Sequence, residues 1–156
     1  MAGINIAEMG HIVNILPPID ITGGAFSDVF SMENYAHATI IVQIGVSAAA
    51  FTKLIVEECD DFTPTNHTDI AHYIYKEETA EGDTLGARTA VLAAGTTPSA
   101  NDNIFYVIEI DAADLTDGYP YLRLEITNGV NSVIASAVAI LSGARYGSTQ
   151  SATVIA

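Results

Sequence analysis

Apolar and polar residues along this chain alternate in short runs with a period of two, and the clearest runs fall between Asn103 and Leu141. Ile104-Phe-Tyr-Val-Ile-Glu-Ile110 and Tyr121-Leu-Arg-Leu-Glu-Ile-Thr127 are rich in β-branched and aromatic side chains, which suit a pleated, half-buried surface. In the second run Leu122, Leu124 and Ile126 share one face, with Tyr121, Arg123, Glu125 and Thr127 on the other. Val133-Ile-Ala-Ser-Ala-Val-Ala-Ile-Leu141 is apolar on both faces, the pattern of a strand that needs a cover on each side. Asn128-Gly129 between the last two runs predicts a type I′ hairpin, with Thr127 paired to Val130, Leu124 to Val133 and Leu122 to Ala135.

Further strands are predicted at His11–Leu16, stopped by Pro17-Pro18, and at Phe26–Met32, Ala38–Val46, Lys53–Cys59, Ala71–Glu77 and Thr89–Ala94, with a short edge segment at Ile19–Thr22. Residues up to Met9 read as a helical turn or an arm, and Asp111–Gly118 as a single helical turn at a corner. Polar loops follow at Thr63–Thr68, Glu78–Asp83 and Gly95–Asp102. The uncharged stretch Tyr35–Thr52 is broken by His37, Thr39, Gln43, Gly45 and Ser47 and is β-branched at its centre, so a buried strand fits it better than a membrane span. Many short strands with frequent turn signals, and neither a long amphipathic helix nor an internal repeat, give an all-β fold: a single antiparallel β-sandwich, jelly-roll or immunoglobulin-like, with short arms at both ends. The expected divisions are 1–18 for the N-terminal arm and first strand, 19–142 for the sandwich and 143–156 for the C-terminal arm. The apolar close Thr153-Val-Ile-Ala156 suits a strand added to a neighbour or to its own sheet.

At 156 residues the chain is long enough to bury about 70% of its unfolded surface as one domain. Hydrophobic residues make up 49%, charged residues 15%, and the mean hydropathy is +0.32, an apolar balance that suggests burial against other subunits. With 19 acidic against 5 basic residues the net charge is −14, which argues against direct binding of nucleic acid and suits a basic partner surface. The single cysteine, Cys59, excludes an internal disulfide. The opening residues lack the basic and apolar regions of a signal peptide, so synthesis and residence in the cytoplasm are expected.

Catalytic signatures are not found. His11, His37, His67 and His72 have no nucleophile elbow or comparable motif beside them, and no catalytic residue is assigned. Cys59, His67 and His72 lack the spacing and the fourth ligand of a zinc site. Asp111, Asp114 and Asp117, or Glu77, Glu78, Glu81 and Asp83, do not follow the alternating pattern of a calcium loop. Gly82-Asp-Thr-Leu-Gly86 lacks the lysine and helix start of a phosphate cradle, and Asn66-His-Thr68 matches a glycosylation acceptor without a secretion signal. No cofactor and no metal are expected.

The series Tyr106–Leu115, Gly118–Thr127 and Ala137–Tyr146, with Leu85-Gly-Ala-Arg-Thr-Ala90 before it, resembles the small β-sandwich proteins of tailed-phage structural genes, in particular head decoration or cement proteins. That resemblance implies a non-enzymatic virion subunit, made in the host cytoplasm, that binds the major capsid protein on the capsid surface as a homo-oligomer, a trimer being favoured, and stabilises the mature lattice. Contacts are then expected from the terminal arms through Ile4, Ile6, Val154 and Ile155, with Tyr119, Tyr121 and Tyr146 as aromatic anchors. The alternatives are a neck or tail subunit, an immunoglobulin-like carbohydrate-binding or adhesion module, for which Asp114-x-x-Asp-Gly-Tyr119 offers a loose tyrosine-corner pattern, and a small β-fold hydrolase or lyase.

Overall fold

A computed structural model describes residues 3–79, 84–145 and 153. Two antiparallel sheets pack face to face, so the chain is an all-β sandwich. The larger sheet takes β1 (His11–Asp20), β11 (Val133–Ala144), β4 (Tyr35–Ser47), β9 (Ile104–Asp111), β7 (His72–Glu77) and β8 (Thr89–Val91), in that order. The smaller places β10 (Tyr121–Thr127) between β5 (Lys53–Cys59) on one side and the short β2 (Ala25–Phe26) and β3 (Phe30–Ser31) on the other, with β6 (His67–Asp69) beyond β5. A one-turn helix α1 (Ile6–Met9) precedes β1, and a 3-10 turn at Ala112–Asp114 makes the predicted corner after β9.

The core lies between the layers and is built from the inward residue of each alternating pair. Ile40, Val42, Tyr106, Ile108, Ile74, Ala137 and Ala139 come from the larger sheet, and Leu54, Val56, Leu122, Leu124 and Phe30 from the smaller, all effectively sealed from solvent. Ala135, Ala137 and Ala139 on the inward face of β11 are buried in the core, so this small-residue strand, next to the edge strand β1, takes part in the close packing between the layers.

Four sequence expectations need correction. Asn128-Gly129 does not close a hairpin: β10 and β11 belong to different sheets, and neither residue has a positive φ. The alternation shows that Leu124 and Val133 both point at the core, but two strands facing each other across a sandwich satisfy that pattern as well as two neighbours in one sheet. Residues 128–132 instead cross between layers, tied by the Asn128 side-chain amide donating to the carbonyls of Ile21 and Asn131. Second, Pro17-Pro18 does not stop β1, which continues to Asp20 with register shifts around Leu16. β1 is an edge strand, where a missing N–H costs nothing, and proline there also discourages edge pairing. Third, the loop predicted at Thr63–Thr68 contains part of β6, a three-residue polar edge strand too short to leave a periodic signal. Fourth, the predicted Phe26–Met32 strand is reduced to the two-residue pieces β2 and β3.

Candidate interaction surfaces

The features that stand out among the described residues are two sheet faces and one cleft. The outer face of the larger sheet is the first. Register brings Asn14, Val138, Ile41, Val107 and Tyr75 into one row across five strands, and none of them carries a formal charge. Ile12 and Ile140 flank the row on one side and Phe105 on the other, while Ile12 and Ile134 stand about half and two-fifths exposed. Beside Ile134, Gln43, Gly45 and Phe105 border a hollow of about 320 Å³. β11 therefore has its expected cover on the inner side, while the described residues provide no second layer over its outer side.

At one end of this face His37 is held between two carboxylates. Its Nε2 lies 2.6 Å from Glu109 and its Nδ1 2.7 Å from Asp111, and Thr39 donates its hydroxyl to the same Glu109 oxygen. Partial burial works against the charged imidazole, but the hydrogen bonds and charges of Asp111 and Glu109 outweigh it, so the pKa of His37 is raised. At the sheet's far side Arg88 lies over the ring of Tyr73, 3.4 Å from its centroid.

The outer face of the smaller sheet is instead a polar network. Glu57 is buried and accepts from Nε (2.7 Å) and Nη2 (2.6 Å) of Arg123, its neighbour in register on β10, while His67 Nδ1 lies 2.8 Å from its other oxygen. Arg123 also stacks over Phe26 at 4.2 Å. Burial and the nearby charges of Glu57 and Asp69 raise the pKa of Glu125. The carboxylates of Glu57, Asp69 and Glu125 approach within 4.8 Å of one another, but Glu57 already has Arg123 as its cation, so the cluster is an ion-pair network.

Cys59 and His67 pair across β5 and β6, whereas His72 points inward from the other sheet, so the three weighed as zinc ligands are divided between layers. Burial pushes the Cys59 thiol up to about 11, leaving it unreactive at neutral pH. Of the predicted contact residues, Ile4 and Ile6 are exposed on the N-terminal arm together with Met9. Tyr119 and Tyr121 are half-buried, Tyr119 beside Pro120 and Arg145 in a surface hollow, and Tyr121 on the smaller sheet opposite Cys59. Tyr146, Val154 and Ile155 lie outside the described residues. Thr153 sits 3.4 Å from His11 Nε2, beside the start of β1. None of the described helices is long and apolar enough to cross a membrane.

The third feature lies where the chain crosses from β6 to β7. Glu58 of the smaller sheet and His72 of the larger sheet are both buried and line the same cleft, of about 530 Å³, with Ile70, Val91, Asp114 and Thr116. Glu58 accepts the backbone N–H of Thr116 at 2.8 Å. Burial lowers the pKa of His72, whose Nδ1 lies 3.2 Å from the carbonyl of Ile70 and whose Nε2 has no partner among the described residues. Sequence reasoning assigned these two residues no site, because Glu58 falls within the Lys53–Cys59 strand and His72, weighed with Cys59 and His67, lacks the spacing of a zinc site.

No family model and no curated protein matches the chain. Among solved structures it is similar to the SPBc2 prophage-derived protein YomS, at 14% identity and a TM-score of 0.45, over 84% of this chain and 92% of that one. That likeness is too remote to assign a role.

Proposed function

We propose that the protein is a non-enzymatic virion subunit that self-associates and binds the major capsid protein on the capsid surface, stabilising the mature lattice as a decoration protein. The observation that carries this reading is the uncharged row Asn14, Val138, Ile41, Val107 and Tyr75 on a chain with a net charge of −14. Two copies of so acidic a chain repel each other over most of their surface, and this row is where they can meet with apolar contact and without opposing charges. The occupant of the face is thus a second copy. Self-association there leaves the acidic surface free for a basic lattice. The sequence resemblance to phage decoration proteins in the C-terminal half supports the same reading, as do the exposed apolar residues of the N-terminal arm. A subunit of this kind works by mass action: binding the mature shell better than competing states raises the cost of opening it.

The test has two arms. Light scattering on the purified chain is expected to give a mass of at least twice the 16.4 kDa chain, and Ile41→Asp is expected to return it to one chain mass with its circular dichroism unchanged. Co-sedimentation with expanded shells that lack the protein is expected to show saturable binding. A monomeric wild type would refute the role given to the sheet face, and failure to bind shells would refute the lattice role.

A further inference from the structure

The cleft between β6 and β7 has chemistry that the fold itself does not use. His72 is 5% exposed, and its Nδ1 faces the Ile70 carbonyl, which can only accept, so Nδ1 carries the proton. Nε2 is then a bare lone pair, buried and without a donor among the described residues. Buried acceptors in folded proteins are nearly always satisfied, and one that is not marks a place where a partner is missing. Across the cleft, Glu58 is 3% exposed and also offers only acceptor oxygens, one of them bonded to the Thr116 N–H. Asp114 stands on the exposed rim, Asp69 lines it too with its carboxylate turned to the Glu57 and Glu125 network, and the lining contains no lysine or arginine. The fourth acidic residue of the lining, Glu109, is engaged by His37 and Thr39. Ile70 and Val91 provide apolar walls against which an alkyl stem can lie.

Two buried acceptors, an acidic rim and apolar walls describe a receptor for a cation that carries N–H donors on a hydrocarbon stem. We propose that this cleft takes a basic side chain, the ammonium of a lysine or the guanidinium of an arginine, presented by the protein's binding partner. Naming that partner as the capsid lattice rests on the function proposed above; the chemistry of the cleft does not. A metal ion fits less well, because Glu58 and His72 belong to no group of three metal-type ligands among the described residues. The charge of −14 favours capture of a cation from solution, and the depth of the cleft converts a diffuse attraction into a directional one.

The experiment is an NMR titration of the full chain that follows the His72 ring nitrogens. Nα-acetyl-lysine methylamide and Nα-acetyl-arginine methylamide are the probes, and Nα,Nε-diacetyl-lysine methylamide is the neutral control. Saturable movement of the His72 Nε2 resonance is expected with at least one cationic probe, and the ratio of the two affinities tells lysine from arginine. The neutral control is expected to bind at least about tenfold more weakly, because a hydrogen bond to a charged group is worth more than a neutral one. Glu58→Gln and His72→Phe are each expected to weaken the cationic probe by about tenfold or more. Equal response to cationic and neutral probes, or none at His72, overturns the proposal. This comparison on the wild-type chain decides the matter even if a variant fails to fold. Probe binding without shell binding would retain the cleft and refute the lattice role, whereas shell binding without probe binding would do the reverse.

Discussion

Replacing Arg123 with methionine isolates the strongest electrostatic element of the fold. Arg123 on β10 and Glu57 on β5 face each other in register, and two guanidinium N–H groups converge on one Glu57 oxygen at 2.6 and 2.7 Å. The Glu57 side chain is 1% exposed and that of Arg123 14%, so neither charge is well hydrated. Methionine retains most of the aliphatic stem while removing the charged guanidinium that lies over Phe26. Among the described residues the carboxylate then keeps only His67, whose side chain is about half exposed. Removing one partner of a buried pair costs about 3–5 kcal/mol, and the remaining His67 contact puts this case near the lower end, at about 3 kcal/mol. For a chain of this size that corresponds to a fall in Tm of about 6–12 °C. Urea unfolding followed by circular dichroism measures the loss directly. Adding Glu57→Gln to Arg123→Met is expected to recover about 1–2 kcal/mol, because the penalty arises from the stranded charge rather than from lost packing. A single variant within about 1 kcal/mol of wild type, or a double variant no more stable than the single, would refute the reasoning.

Two further outcomes follow from local geometry. The raised pKa of His37 means that its folded form holds a proton more tightly than its unfolded form, so its contribution is complete below the ordinary value of 6.5 and is lost as pH rises through the raised value. NMR titration is expected to find the His37 pKa above 6.5, and His37→Ala is expected to flatten the stability–pH curve in that window; a midpoint below 6.5 would contradict the carboxylate clamp. Gly95 has φ +77°, and a Cβ there would meet the Leu54 carbonyl oxygen at 2.5 Å and Ile55 Cγ1 at 2.7 Å, so Gly95→Ala is expected to cost about 2–4 kcal/mol in urea unfolding. A cost below about 1 kcal/mol would show that the Leu54–Thr96 bridge yields easily.

How much of this was legible in the sequence depends on what each pattern encodes. β5 and β10 lie where the alternation put them, Lys53–Cys59 and Tyr121–Thr127, because inward Leu and Val positions define a strand without knowledge of its neighbours. The same alternation is silent about which sheet a strand joins, and that is why Asn128-Gly129 was read as a hairpin when the chain crosses the sandwich there. The apolar outer side of β11 was visible as Ile134, Val138 and Ile140, and its extension across β4, β9 and β7 needed the register. The Glu57–Arg123 pair and the Glu58–His72 cleft bring together residues 66 and 14 positions apart through pairing and layer packing. Periodicity shows such residues only as polar positions on strands. Ile4 and Ile6, expected from the sequence to make contacts, are apolar positions in a segment with no strand pattern, and the fold leaves both exposed.

The most direct test of the central claim is the copy number of this chain in purified particles, counted by quantitative mass spectrometry against the major capsid protein. A near-stoichiometric ratio is the predicted result. A much smaller ratio would place the chain in a neck or tail, and its complete absence from particles would contradict a virion role.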